Sequence, residues 1–231
     1  MASLVGLLRP VAIRQGERTI GRLAGLPVPL DAPHGLVTPP NGAGGLRLSL
    51  AVLGDESALG VGGSSLSEGL PGLLARELAE RERREVLWQV VGEQDATSLG
   101  LHHRLVPQLS PATDVVVLLV GMHDLLARRP VTAWRAELSA TLDLLARVPE
   151  VVVCGCPPIH RAPLLRWPLT ALLERDARAL DDATRELCVQ HGRTFVSLMG
   201  VAVRPEDFAS DGLHPGDPGY RRWAQEVTAA F

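Results

Sequence analysis

Cysteine is scarce in this chain. Cys154, Cys156 and Cys188 are too few to frame a fold with disulfides, and Cys154 and Cys156 close an apolar run, where small core residues are commoner than metal ligands. A reducing compartment, the cytoplasm, is therefore expected. Aromatic residues amount to 3% of the chain, so Trp134, Trp167 and Trp223 are each expected to pack on a helix. Lysine is missing, and arginine supplies the positive charge; this resembles a coding bias and says little about function. No charge excess of one sign exists: the formal net charge is -3, which gives no reason to expect a nucleic-acid partner. Long hydrophobic runs are missing too. Val115 to Val120 and Val151 to Val153 are of strand length, far short of a bilayer span. The start, Met1 to Pro10, lacks a basic leader and a cleavage site, so no signal peptide is expected. Gly60-Val61-Gly62 comes without the Lys-Ser/Thr of a phosphate loop and without a dinucleotide fingerprint, so no nucleotide cofactor is expected and a close-packed turn is.

What is present is a globular composition. Of the 231 residues, 46% are hydrophobic and 21% charged, enough for one α/β domain with a sizeable core. Pro27, Pro29, Pro33, Pro39 and Pro40 with Gly42, Gly44 and Gly45 exclude long regular elements from residues 1–45, which are expected to form an irregular arm with a short amphipathic start. Residues 46–231 are the expected domain. Apolar strands are predicted over 46–53, 86–91, 115–120, 151–156 and 194–198, and helices over 66–84, 99–109, 131–147, 169–190 and 218–230. This alternation predicts a three-layer α/β/α sandwich around a five-stranded parallel, flavodoxin-like sheet.

Residues with chemistry to offer fall after strands. Glu56 follows the first, Asp95 the second, His123 the third, His160 the fourth, and Asp211 with His214 the fifth. Parallel strands bring these ends to one edge of the sheet, where open α/β sheets carry their sites. Other residues read more blandly. Asp55 is expected to brace the first turn and Asp124 to cap the following helix. His102 and His103 are expected on a solvated helix, and His160 in a surface loop. Arg161 and Arg166, in a proline-rich stretch that could cover the cleft, are expected to be solvated charges.

The pattern resembles the SGNH (GDSL-type) hydrolase family, especially its actinobacterial members, over residues 46 to 230. Leu53-Gly54-Asp55 with Gly60-Val61-Gly62 is similar to the first block of that family, Val91-Gly92 through Thr97 to the second, and Val120 to Asp124 to the third. Asp211-Gly212-Leu213-His214-Pro215 is similar to the last block and is the most specific match. The resemblance implies a nucleophilic serine in the first block. It implies an oxyanion hole from a glycine in the second block, an asparagine in the third and the serine amide, and a histidine base oriented by an aspartate. The last pair is kept as His214 and Asp211. The other three positions carry Glu56, Asp95 and His123. Ser57 lies one residue out of register for the serine role.

All three replacements are acid–base residues and ligands for borderline metals. The expectation is an enzyme acting on an ester, acyl or related bond of a small molecule, through a divalent metal (Zn²⁺, Fe²⁺ or Mn²⁺) held by Glu56, Asp95, His123 and His214. Asp211 would then fix the far nitrogen of His214. Three alternatives stand beside it: metal-free acid–base catalysis by the same residues as a lyase, isomerase or cyclase; a serine esterase using Ser57, His214 and Asp211; and an inactive binding protein. The substrate and the oligomeric state are not legible.

Overall fold

The computed structural model describes residues 6–20 and 25–231, and the mildly apolar start expected to carry no signal lies partly outside the described residues. Its elements in chain order are α1 (Arg9–Ile20), β1 (His34–Val37), β2 (Leu48–Gly54), α2 (Leu70–Glu82), β3 (Val86–Gly92), α3 (Ser98–Gly100), β4 (Val115–Leu119), α4 (Met122–Leu126), α5 (Val131–Leu144), β5 (Glu150–Cys154), α6 (Leu169–His191), β6 (Thr194–Val196) and α7 (Asp217–Thr228). Helix α3 runs on through a π turn, Leu101–Leu105, and a 3-10 turn, Val106–Gln108. Among the described residues, no helix is long and apolar enough to cross a membrane.

Among the described residues, the sheet has six strands in the order β1-β3-β2-β4-β5-β6. Five of them are parallel and, counted from β2, follow the flavodoxin-like order 2-1-3-4-5. The sixth corrects the expectation of an all-parallel, five-stranded sheet: β1 pairs antiparallel with β3, His34 opposite Gln89 and Val37 opposite Val86. The prolines that argued against regular structure bound this strand and do not break it. Pro33 precedes it and accepts a bond from the Val90 amide through its carbonyl (2.8 Å), while Pro39 follows it. An edge position tolerates such neighbours because one side of the strand needs no partner. Among the described residues of 1–45, the helix Arg9–Ile20 stands where a short amphipathic start was expected, and an edge strand, His34–Val37, where an irregular arm was.

Alternation along the strands sends side chains to two cores. Leu50, Val52, Val115, Val117 and Leu119 face α2 and α7, where Leu70, Leu74, Tyr220 and Trp223 meet them. Ala51, Leu53, Val116 and Leu118 face the opposite way, onto Leu101, Leu105, Trp134, Leu138 and the apolar side of α6. Strand β4 is buried at every position, which explains its unbroken run of Val and Leu. Trp134 and Trp223 pack as expected, at 2% and 5% exposure, whereas Trp167 is 60% exposed, a correction to its expected packing role.

Chain direction reverses its progress across the sheet at β2: β3 lies on one side and β4 on the other. Such a switch point opens a crevice beyond the carboxyl ends of the strands. Glu56 follows β2 and His123 follows β4, so the fold alone puts the two side by side at that crevice.

Candidate active site

The turn after β2 is pinned from several directions. Tyr220, buried on α7, donates its hydroxyl to the Val61 carbonyl (2.8 Å). Asp217, at the start of α7, accepts the Ser64 amide (2.8 Å). At Gly62 the backbone is left-handed, φ +90°, and a Cβ would stand 2.4 Å from the Pro215 carbonyl oxygen and 3.1 Å from His214 Cβ. Only glycine lets the loop that carries His214 close on this turn. The 60–62 glycines therefore act as the close-packed turn expected of them.

Glu56 and His123 meet at the crevice, Oε2 to Nε2, at 2.6 Å. The other carboxylate oxygen of Glu56 accepts the Asp95 backbone amide at 2.9 Å. Burial would raise the Glu56 pKa, but the bonds from His123 and from the Asp95 amide outweigh it and bring the pKa down to about 2. Burial would likewise lower the His123 pKa, and the Glu56 carboxylate overcomes that and raises it. An imidazolium–carboxylate pair follows. The far nitrogen of His123, Nδ1, lies 3.4 Å from Asp95 Oδ1, and the Asp95 side chain is 87% exposed. Asp95 itself sits at φ +57°, a left-handed conformation that glycine adopts freely and aspartate tolerates better than most.

His214 forms a separate pair. Its Nδ1–H donates to Asp211 Oδ2 at 2.6 Å, and the other oxygen of Asp211 accepts the amides of Leu213 (2.9 Å) and His214 (3.0 Å). Burial works against the Asp211 charge, but these three donors prevail and hold its carboxyl below the usual range. Glu56, Ser57, Asp95, His123 and His214 line one cavity of about 180 Å³, walled by Met122, Leu126, Pro157 and Trp223. Asp55 reaches it as well. It braces the turn by accepting the Ser57 amide (3.0 Å), and burial pushes its carboxyl up to about 6.

Other expectations resolve differently. Asp124 does not cap α5, whose N-terminal flank is Pro130. It is buried within α4, accepting the Ser98 amide (2.8 Å) and hydroxyl (2.7 Å) and pairing with Arg129 Nε (2.9 Å), so it fastens α4 to α3. His160 lies in the 3-10 turn Ile159–Arg161 and does not line the cavity. Arg161 and Arg166 are exposed, as expected of solvated charges, and donate to the Val201 and Pro163 carbonyls respectively. His103 is exposed and His102 half-buried on the π turn. Asp55 was not read as a group of the site, although its place beside Glu56 after a buried strand carried that signal.

Among the described residues, one group of three or more potential metal ligands is close enough to act together: Asp55, Glu56 and His123, with ligand atoms within 4.8 Å of one another. Asp95 and His214 are not part of it. A cation could be held by these three only by displacing the proton shared within them. The two best donors, Glu56 Oε2 and His123 Nε2, are joined by a 2.6 Å hydrogen bond and so hold a proton between them. Asp55 is the third donor; burial pushes its carboxyl up to about 6, so it is still largely ionised at neutral pH.

Comparison with known proteins agrees with this architecture. The model of the GDSL-like lipase/acylhydrolase family matches residues 52–222. The GDSL-like esterase Rv1075c of Mycobacterium tuberculosis is 28% identical over 182 residues, 74% of this chain and 57% of that protein. The chain thus spans little more than half the length of the curated relative it matches. An extracellular lipase from Streptomyces rimosus superposes with a TM-score of 0.63 at 17% identity, over 80% of this chain and all of that one. A phospholipase A1 from Streptomyces albidoflavus gives 0.61 at 15% identity, over 79% of this chain and 99% of that one. With the family model covering most of its length and its blocks meeting around a single crevice, the chain belongs to the GDSL-like lipase/acylhydrolase family.

Proposed function

We propose that this protein hydrolyses an ester or acyl bond of a small molecule by metal-free acid–base catalysis, with water as the nucleophile in place of a serine. The carrying observation is that two differently prepared imidazoles face one cavity: His214, backed by Asp211 at 2.6 Å, and His123, held as an imidazolium by Glu56 at 2.6 Å.

In this reading Glu56 occupies the family's serine position, Asp95 its glycine and His123 its asparagine. The left-handed backbone at Asp95 supports the second assignment, since a glycine would adopt it without strain. The donors at 95 and 123 both bind Glu56, so the carboxylate sits where a developing oxyanion would otherwise be received. A serine mechanism through Ser57 is disfavoured because Ser57 lies one residue out of register for the serine role.

The step balances without a covalent intermediate. His214, with Nδ1–H committed to Asp211, takes a proton from water at Nε2. The water oxygen attacks the carbonyl carbon, and the oxygen that gains the electron pair accepts a hydrogen bond from His123 Nδ1–H, displacing the exposed Asp95 side chain. The tetrahedral species collapses, the C–O bond to the leaving group breaks, and the leaving oxygen takes the proton held by His214. Glu56 and Asp95 are positioning residues for His123.

The test uses p-nitrophenyl esters in ¹⁸O water. Single-turnover incorporation of one ¹⁸O into the acid, no pre-steady-state burst and no labelling by a fluorophosphonate are expected. A burst with labelling at Ser57 overturns the reading. Activity lost to a chelator and regained with Zn²⁺, Fe²⁺ or Mn²⁺ would instead favour the metal-dependent mechanism suggested by the residue types.

A further inference from the structure

Glu56 is held by two donors from different segments. The Asp95 amide belongs to the loop after β3, and the His123 ring to α4, after β4. Strand β2 lies between β3 and β4, so no ladder hydrogen bond ties the two donors to each other. A buried contact behind them does. Ser98 stands three residues after Asp95, and Asp124 stands next to His123; both are buried. Asp124 takes the Ser98 amide on one carboxylate oxygen (2.8 Å) and the Ser98 hydroxyl on the other (2.7 Å).

Two more groups complete the cluster. Arg129 Nε lies 2.9 Å from Asp124 Oδ1, and the same guanidinium pairs with Glu137 of α5. Glu137 in turn meets the Ser98 hydroxyl. The Arg129 amide also donates to the Asp124 carbonyl (2.9 Å), so the chain after α4 folds back on the same residue. None of these four residues lines the catalytic cavity. Buried ion pairs stabilise a fold poorly, because desolvation cancels much of their attraction. What they impose is geometry, since each charged group is held where its hydrogen bonds point.

We propose that Ser98, Asp124, Arg129 and Glu137 form a clamp that fixes the distance between the Asp95 amide and the His123 ring, and so keeps Glu56 and His123 in contact. Ser98 and Asp124 join the two segments. Arg129 compensates the buried Asp124 charge, and Glu137 ties the cluster to α5. All four are positioning residues. The clamp rests on the proposed hydrolysis only for its effect on rate; its effect on the Glu56–His123 contact needs no reaction.

The experiment uses the full chain with Ser98→Ala, Arg129→Met and Arg129→Lys. It reads the ¹⁵N shifts of the His123 ring, which report the hydrogen bond at Nε2 and are identified against His123→Asn, together with kcat and KM on p-nitrophenyl acetate and the urea midpoint. Ser98→Ala keeps the amide bond to Asp124 and removes both hydroxyl contacts. Its His123 shifts should move toward those of Glu56→Gln, and kcat should fall about ten- to a hundredfold with KM unchanged. Arg129→Met should do at least as much, and Arg129→Lys should recover most of the loss. If Arg129→Met does not fold, Ser98→Ala alone decides. A folded Ser98→Ala with wild-type His123 shifts overturns the inference whatever its urea midpoint, because the cluster then serves only the fold. Displaced shifts with an unchanged kcat would leave the clamp standing and refute the part given to His123 in hydrolysis.

Discussion

Glu56 and His123 approach to 2.6 Å although 67 residues separate them, because β2 and β4 are neighbours and both end at the same crevice. The pair is charged on both sides, and each member fixes the protonation state of the other.

That coupling has a defined pH window. The Glu56 carboxyl is lowered to about 2, so its contribution to stability is complete above the ordinary glutamate range and is lost as pH falls through about 2. The His123 imidazole is raised, so its contribution is complete below the ordinary histidine range and is lost as pH rises through its elevated value. A Glu56→Gln, His123→Asn double-mutant cycle in urea should give a coupling of about 1–3 kcal/mol between roughly pH 5 and 6, shrinking at alkaline pH. A coupling that grows with alkalinity would contradict the pair.

Glu56→Gln should also return the His123 titration toward an ordinary imidazole, readable by NMR of the ring protons. Ester hydrolysis should fall by about 10², and its alkaline limb should shift to lower pH. Unchanged rate with a shifted His123 titration would separate the pair from catalysis.

His214→Ala should cost about 10²–10⁴ in kcat with little change in KM, because it removes the base and leaves the apolar walls intact. Asp211→Asn should lower kcat by less. It keeps an acceptor for the amides of Leu213 and His214 but weakens the hold on the ring. Equal losses in KM would place the dyad in binding.

Asp55→Asn should stabilise the protein at neutral pH. The folded carboxyl is pushed up to about 6 by burial, so the folded chain holds the proton more tightly than the unfolded one, and stability falls as pH rises from about 4 to about 6. Removing that penalty is worth on the order of 2–3 kcal/mol above pH 6 and nothing below pH 4. The amide oxygen of asparagine can still accept the Ser57 N–H. Urea midpoints at pH 4 and 7 measure the difference, and equal midpoints at pH 7 would refute it.

The parallel core and the convergence at the crevice were legible because strand burial and period write themselves into composition. Val115 to Leu119 needs no partner information to be recognised as a central strand. Strand β1 was not, because four residues between prolines carry no period and gain their hydrogen bonds only from β3. Glu56 and His123 could be placed at one edge, but not in contact, since whether two carboxylates and two imidazoles gather an ion or divide into pairs depends on fractions of an ångström. Asp124 looked like a helix cap by its position; its partners Ser98 and Arg129 sit on either side of it in sequence and meet it only in three dimensions.

The two rims of the sheet differ in kind and share one outcome. Strand β6 has only three residues, and β1 has four, hemmed in by Pro33 and Pro39. Neither offers a run of free amides and carbonyls long enough to recruit a strand from another molecule, so this fold carries its own safeguard against edge-to-edge aggregation.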